Sequence, residues 1–553
     1  MKAIREFAQR RAFRSIKSQL NGWLWMTLLG AAVILLPILY VLSTLLHAPT
    51  ENWARVKQYL FVDYALGSLQ LVAYAGFLAT ALGVTLAWVV GRYSFPLRSF
   101  FRWALVLPLA LPPYIAAYTY RAMTGYTGFF QSTLRNEINL TVPPRVFEVV
   151  SLRGAVFVLT LTLFPYVYML MRNYLERQSA VYLDNAALLG HGGLSQFFRV
   201  MLPLARPAIV AGAMLIVFEI VSDYGVASYF GVQTLSTAIF QTWFGMYDVD
   251  SAMRLAAWLM LAVIALFSLE RYLRRNRQFS GPVSGQARSL KRLKGKAAAG
   301  ATLYCGSVFF LAFALPVAQL GVWTTWTFRK VWQADFLDLI RSTFTGAAYA
   351  TAAIIVLALL AARTTHRLKS GFASVLSRMM TAGYAVPGAI VAIGVLGVFA
   401  LLDHRLSGFY VRLGYHEGAL VLSMSLGMLL TGYVIRFFSM GYNALESGYE
   451  KLPNAYLEAS RLLGRGSLQT FVRVELPLLR GSLLAGCMLA FVEIVKELPL
   501  TLLLRPFNFD TLATRTYRYA IDERIYEAAP PSLLLVLISL SSVWILNRWG
   551  RER

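Results

Sequence analysis

Apolar residues run along this chain in about twelve stretches, each long enough to cross ~30 Å of hydrocarbon as a helix rising ~1.5 Å per residue. They fall at roughly 22–46, 64–90, 103–123, 154–174, 206–226, 252–270, 299–323, 340–362, 378–400, 418–440, 481–503 and 530–547. Short polar segments, many of them basic, separate the stretches. The pattern predicts an all-α integral membrane protein of about twelve transmembrane helices.

Composition supports lipid as the main solvent: 58% of the 553 residues are hydrophobic and only 14% are charged. A formal charge of +25 would suggest nucleic acid in a soluble protein, but its distribution argues otherwise. Lys2, Arg5, Arg10, Arg11, Arg14 and Lys17 precede the first stretch, and Arg92, Arg98 and Arg102 lie between the second and third. Arg271, Arg274, Arg275, Arg277, Arg288, Lys291, Arg292, Lys294 and Lys296 lie between the sixth and seventh. Arg363, Arg367, Lys369 and Arg378 follow the eighth, and Arg548, Arg551 and Arg553 follow the last. All fall on one side if both termini are cytoplasmic, as the positive-inside rule requires. The lipid bilayer, not nucleic acid, is therefore the expected partner of the charge. The first apolar run, about 25 residues, is too long for the core of a cleaved signal. Cys305 and Cys487 sit inside apolar runs and read as small buried residues, and the five histidines show no metal-ligand spacing. Trp23, Trp25, Trp323, Trp326 and Trp544 stand near run ends, where interfacial anchors belong.

The chain repeats itself. Gly-His-Gly-Gly-Leu-Ser-Gln-Phe-Phe-Arg-Val-Met-Leu-Pro from Gly190 aligns with Gly-Arg-Gly-Ser-Leu-Gln-Thr-Phe-Val-Arg-Val-Glu-Leu-Pro from Gly464, an offset of 274 residues. The register holds through Glu219-Ile220-Val221 and Glu493-Ile494-Val495, and it pairs Ser68 with Ser342 and Pro113 with Pro387. Each half carries six runs, an even number, so the halves should relate by a pseudo-twofold axis along the membrane normal. The expected division is 1–270, a basic cytoplasmic linker at 271–298, and 299–553.

A loop recurs in each half, near 182–203 and 456–477. The second copy reads Glu458-Ala459-Ser460, Gly464, then Val474-x-Leu476-Pro477. The first reads Asp184-Asn185-Ala186, Gly190, then Val200-x-Leu202-Pro203. Each predicts a short helix stopped by a left-handed glycine, then a second short helix ended by Leu-Pro before the next span. A small residue after the acid permits close approach of a partner. This spacing resembles the EAA loop of the permease subunits of bacterial ABC importers. The resemblance implies coupling helices that dock in the grooves of a homodimeric ATPase. The first copy departs from the pattern, with Asp for Glu and Asn for the first Ala, which puts equal coupling in doubt. No G-x-x-x-x-G-K-[ST] phosphate loop is present, so ATP and Mg are expected on a separate ATPase, and this chain is expected to bind no cofactor and catalyse no reaction.

Charges inside apolar runs cost ~2.5–3.5 kcal/mol each and need a reason. Glu219 and Asp223 lie in the fifth run; Glu493, Lys496 and Glu497 lie in the eleventh. At helical spacing each set shares one face, and the offset matches Glu219 with Glu493 and Asp223 with Glu497. The expectation is an acidic pathway suited to a cation, with the four carboxylates as transient metal contacts and Tyr224, Tyr229 and Tyr247 just beyond. Lys496-Glu497-Leu498-Pro499 and Arg505-Pro506-Phe507-Asn508-Phe509-Asp510-Thr511-Leu512-Ala513 look like segments of fused ferric-iron ABC permeases. That likeness implies a periplasmic ferric-binding protein and a bacterial inner membrane; the outer Arg505–Asp510 loop is a candidate gate or docking surface, or a plain turn. Thiamine, polyamine, sulfate and phosphonate importers use similar permeases, and the acids argue against the anions. A secondary transporter would share twelve spans and parallel repeats but has no use for two such loops.

Overall fold

The computed structural model describes residues 22–140, 143, 148–178, 185–186, 188–274, 290–368 and 371–551. It is helical nearly throughout; the described exception is a two-residue parallel pairing of Tyr93–Ser94 with Lys291–Arg292. Nine helices among these residues are long and apolar enough to cross a membrane, and two bent pairs raise the number to eleven. The basic N-terminal segment and most of the linker lie outside the described residues.

The differences from the twelve expected spans have local causes. The run at 103–123 becomes Arg98–Ala110 and Pro113–Asn136, bent by 93°. Proline lacks an N–H and fits best in the first turn of a helix, and Pro113 takes that place, starting a helix rather than continuing one. Its repeat partner Pro387 likewise caps Gly388–Arg412, which shifts the run expected at 378–400. The run expected at 418–440 begins as a loop, because the buried Asp403 carboxylate accepts the Leu422 and Ser423 N–H groups at 2.9 and 2.7 Å. The helix that follows, Leu426–Glu450, is the expected span that fails the apolar test. Its buried side chains include Tyr433, Arg436, Ser439, Tyr442 and Tyr449. A helix wrapped by protein can carry polar groups that lipid would reject.

The chain forms two compact units. One comprises 1–48, 334–514 and 541–553; the other comprises 49–333 and 515–540. In the first unit Ala334–Leu368, Leu426–Glu450 and Arg480–Val495 pack together, and Gly22–Ser43 lies against Ala334–Leu368 and Gly388–Arg412. In the second, Val62–Arg92, Leu152–Gln178 and Leu202–Ser222 form the corresponding trio. Among apolar tails, close van der Waals packing rather than water release holds helices together, so small residues matter at the crossings. A Cβ on Gly212 would stand 2.7 Å from Val167 Cα, and one on Gly486 would stand 3.3 Å from Gly441 Cα. Both pairs lie 274 residues apart, so the repeat reaches the packing.

Candidate functional site

The second loop begins with the helix Asn454–Leu462. Leu457 and Ser460 are buried one turn apart, which leaves Glu458, Ala459, Leu462 and Leu463 on the open face. Gly464 follows at φ +73°, and the Arg465 N–H donates to the Ser460 carbonyl at 3.2 Å, closing the helix with a left-handed cap. In the first loop Gly190 has φ +82° and the His191 N–H donates to the Ala186 carbonyl at 3.0 Å. Ala186 is buried like Ser460, whereas Asp184 lies outside the described residues. Each loop presents two neighbouring leucines to the surroundings, Leu188 and Leu189 at 87 and 80% exposure, Leu462 and Leu463 at 89 and 78%. Apolar pairs this bare, beside an acid and a small residue, make a surface ready for a partner.

Leu-Pro does not end the second short helix as expected. A wide π turn, Gln196–Met201 or Phe471–Glu475, precedes it, and Leu202-Pro203 and Leu476-Pro477 open the following helical segment. Pro203 and Pro477 thus fall in the first turn of the segment after the wide turn, where the N–H that proline lacks has no intrahelical partner to lose. Gly193–Ser222 is therefore one span, while its counterpart bends by 73° between Leu478 and Arg480. There Leu479 and Ser482 press on Gly448, whose Cβ would stand 2.9 and 2.5 Å from their side chains.

Asp223 and Glu497 sit at helix breaks and Glu219 and Glu493 in the last turn before them, so the acids do not share one continuous face as the spacing suggests. Leu202–Ser222 stops before Asp223, and the Asp223 Oδ1 accepts the Val226 and Ala227 N–H groups at 3.0 and 3.1 Å. Arg480–Val495 stops before Lys496, and the Glu497 Oε1 accepts the Leu500 N–H at 3.2 Å. Both carboxylates thus start short helices, Gly225–Tyr229 and Pro499–Leu504. Glu497 is buried and pairs with Arg436, whose Nε is 3.2 Å from Oε2 and whose Nη1 donates to the Val386 carbonyl at 2.9 Å. Glu493 and Lys496 pair at 2.7 Å and remain part-exposed, and the Tyr166 hydroxyl lies 3.4 Å from Glu219 Oε1. Within either unit, no three His, Cys, Asp or Glu side chains among the described residues converge as a metal cage. The tyrosines differ in setting: Tyr224 stacks on Phe240 at 3.7 Å, Tyr229 is buried beneath Arg121, and Tyr247 is exposed. Beyond each break a threonine capping box starts the next helix, Thr234 with Thr237 and Thr511 with Thr514, at 2.9 and 3.3 Å in both. In the longer loop Arg505 pairs with Asp510, Asn508 is left-handed and Phe507 is 82% exposed at the tip.

The family model of the binding-protein-dependent transport system inner membrane component matches this chain twice, at residues 79–272 and 354–551. The chain belongs to this family. It is a permease, a transporter subunit of the ABC-importer class, and members work with a binding protein and ATPase subunits. The permease is 24% identical over 538 residues to the Fe(3+)-transport system permease protein FbpB 2 of Haemophilus influenzae, covering 95% of this chain and 98% of that one. It is 29% identical over 158 residues to the molybdenum permease ModB of Escherichia coli K12, covering 29% of this chain and 66% of that one. Similarity to the spermidine/putrescine permease PotB of Haemophilus influenzae is 25% over 183 residues, 33% of this chain and 63% of that one.

Sequence reasoning about the permease missed two polar centres: Arg436 with Glu497, and Arg363 with Glu475. For Arg436 the available signal was an arginine inside the run at 418–440, which needs a buried partner as much as a glutamate does; Arg363 stands just past the run at 340–362 and reads as one of the flanking basic residues.

Proposed function

We propose that the permease moves ferric iron from a periplasmic ferric-binding protein to the cytoplasm of a bacterium, both termini cytoplasmic. The full-length likeness to an Fe(3+) permease carries this reading, since the molybdenum and polyamine permeases match only about a third of the chain. The loops, with Asp184, Ala186, Gly190, Glu458, Ala459 and Gly464 at their heads and Leu202-Pro203 and Leu476-Pro477 behind, dock on two copies of an ATPase that carries ATP and Mg. Closure of that ATPase moves both loops and turns the pathway outward; hydrolysis resets it. Glu219 and Glu493, part-exposed one turn before each break, meet the ion in passing. Weak contact suits transport, because a full oxygen cage would hold the ion. Asp223 and Glu497 shape the breaks that bring the backbone there, and Tyr224 and Lys496 flank them.

A polyamine is the second reading, favoured by the same acids and by PotB. Proteoliposomes holding the permease, its co-purified ATPase and an iron-loaded binding protein decide. ATP-dependent uptake of labelled iron, lowered on the order of tenfold in Glu219→Gln with Glu493→Gln, is the expected result. Uptake of spermidine but not iron would replace the substrate, and uptake without ATPase would remove the mechanism.

A further inference from the structure

Met201 and Glu475 occupy the same place in the two halves, each on the π turn that joins a coupling loop to its span. Both are buried, at 1 and 0% exposure. A carboxylate at that depth must be neutralised and hydrogen-bonded. The Arg363 Nε stands 2.9 Å from Oε2 and its Nη2 3.3 Å from Oε1. Arg367 Nη2 lies 2.8 Å from Oε1, and the Tyr449 hydroxyl donates to Oε2 at 2.9 Å. Arg363 also donates to the Ser467 carbonyl at 2.7 Å, on the short helix just beyond Gly464. Its guanidinium carbon lies 4.0 Å from the Trp23 ring centre and 4.7 Å from that of Phe471. Ser460 and Thr470 hydroxyls, 2.9 Å apart, then join the coupling helix to the same segment.

One carboxylate therefore ties the second loop to Ala334–Leu368 and Leu426–Glu450, and its arginine reaches the N-terminal helix as well. At the offset of 274 residues, Arg363, Arg367 and Tyr449 become Val89, Tyr93 and Leu175. The first half builds that corner from Trp88 with Phe197 at 5.5 Å, Trp88 with Tyr93 at 6.0 Å, and the buried Leu175 and Met201, with one bridge through a neutral amide beside them: buried Arg92 donates to Gln196 Oε1 at 3.2 Å, and Gln196 Nε2 donates to the His191 carbonyl at 2.8 Å.

We propose that Glu475 is a positioning residue that makes the second coupling loop the more rigid arm of the pair, while the first is held by adaptable apolar packing and a single uncharged amide bridge. The inference rests on the reading of these loops as ATPase-docking elements. Charged hydrogen bonds in a low-dielectric corner have few allowed geometries and are costly to leave unmade. Apolar contact is non-directional and methionine adapts its shape. A push on the second loop reaches the spans directly; a push on the first is partly absorbed.

The test uses the full permease with its ATPase and binding protein. Two variants are compared: Glu475→Gln, and the four-residue exchange Arg363→Val, Arg367→Tyr, Tyr449→Leu, Glu475→Met. The exchange installs the first half's residues at these four positions and leaves no orphaned charge, so it assembles even where the single variant does not. Met201→Leu is the control. Amide hydrogen exchange over 454–470 should quicken about tenfold or more in both variants, with 188–200 unchanged, as expected for lost charge-assisted bonds. ATPase should co-purify at the wild-type ratio while substrate moved per ATP falls several-fold. Unchanged exchange over 454–470, or full transport per ATP in the four-residue variant, overturns the proposal. If the wild-type chain retains no ATPase, the docking reading fails, and the exchange rates still decide whether Glu475 stiffens the loop.

Discussion

Arg436 lies midway along Leu426–Glu450, and the cost of placing it there depends on Glu497. Its guanidinium also satisfies the Val386 carbonyl just before Pro387, so one side chain joins two helix breaks. The fit leaves no slack: a Cβ on Gly388 would stand 2.6 Å from Glu497 Oε1. Removing one partner of a buried pair strands the other, at about 3–5 kcal/mol, whereas removing both is far milder. Arg436→Met should therefore lower the thermal midpoint of the purified permease sharply. Arg436→Met with Glu497→Gln should recover most of that loss. Equal losses in the single and double variants would show that the pair is not the cause. Glutamate and arginine are each legible from sequence as a charge inside an apolar run, but their pairing is not. Arg436 corresponds to Thr162 in the first half, so the repeat that reveals the acids gives no hint of the base.

At the scale of the element, the glycine stops are the most legible feature, because a left-handed residue after a short helix has few occupants. A Cβ on Gly464 would meet nothing within 4 Å, so the backbone conformation alone selects glycine there. Gly464→Ala should destabilise the coupling helix by about 1 kcal/mol, with Gly464→Asn milder. Hydrogen exchange over 454–463 reads this directly, and an alanine variant that exchanges like wild type would remove the cap from the account. Leu-Pro departs from expectation because local preference allows proline either to end a helix or to open one, and the π turn before it settles the matter. The continuous acidic face fails for a related reason. Helical spacing carries through Asp223 and Glu497 only where nothing interrupts it, and Gly225 and Pro499 follow within two residues and favour a break. The acids then take the place that short polar side chains occupy at helix starts.

On the scale of the whole molecule, hydropathy shows that a segment spans the membrane and is silent about its neighbours. The duplication invites a division at the linker. The compact units instead draw on both halves: Gly22–Ser43 packs with 334–412, and Gly295–Val331 packs with the elements of 49–333. Ile34 and Val41 are fully buried in that setting, and Thr27 shares a hydrogen bond of 2.9 Å with Thr364. A first half produced alone loses those partners and exposes the packed face of its N-terminal helix. Residues 1–274 expressed alone should consequently be protease-sensitive and prone to association. Co-expression with 290–553 as a separate chain should yield a co-purifying pair with a melting transition near that of the intact permease, because the cut leaves the packed surfaces of the described residues in place. A first half that is monodisperse by itself, with an unchanged melting midpoint, would mean that the N-terminal helix finds an adequate seat within its own half. The linker would then be a tether between self-sufficient bodies. Recovery only on co-expression would make the exchange of first helices the reason the two halves must fold together.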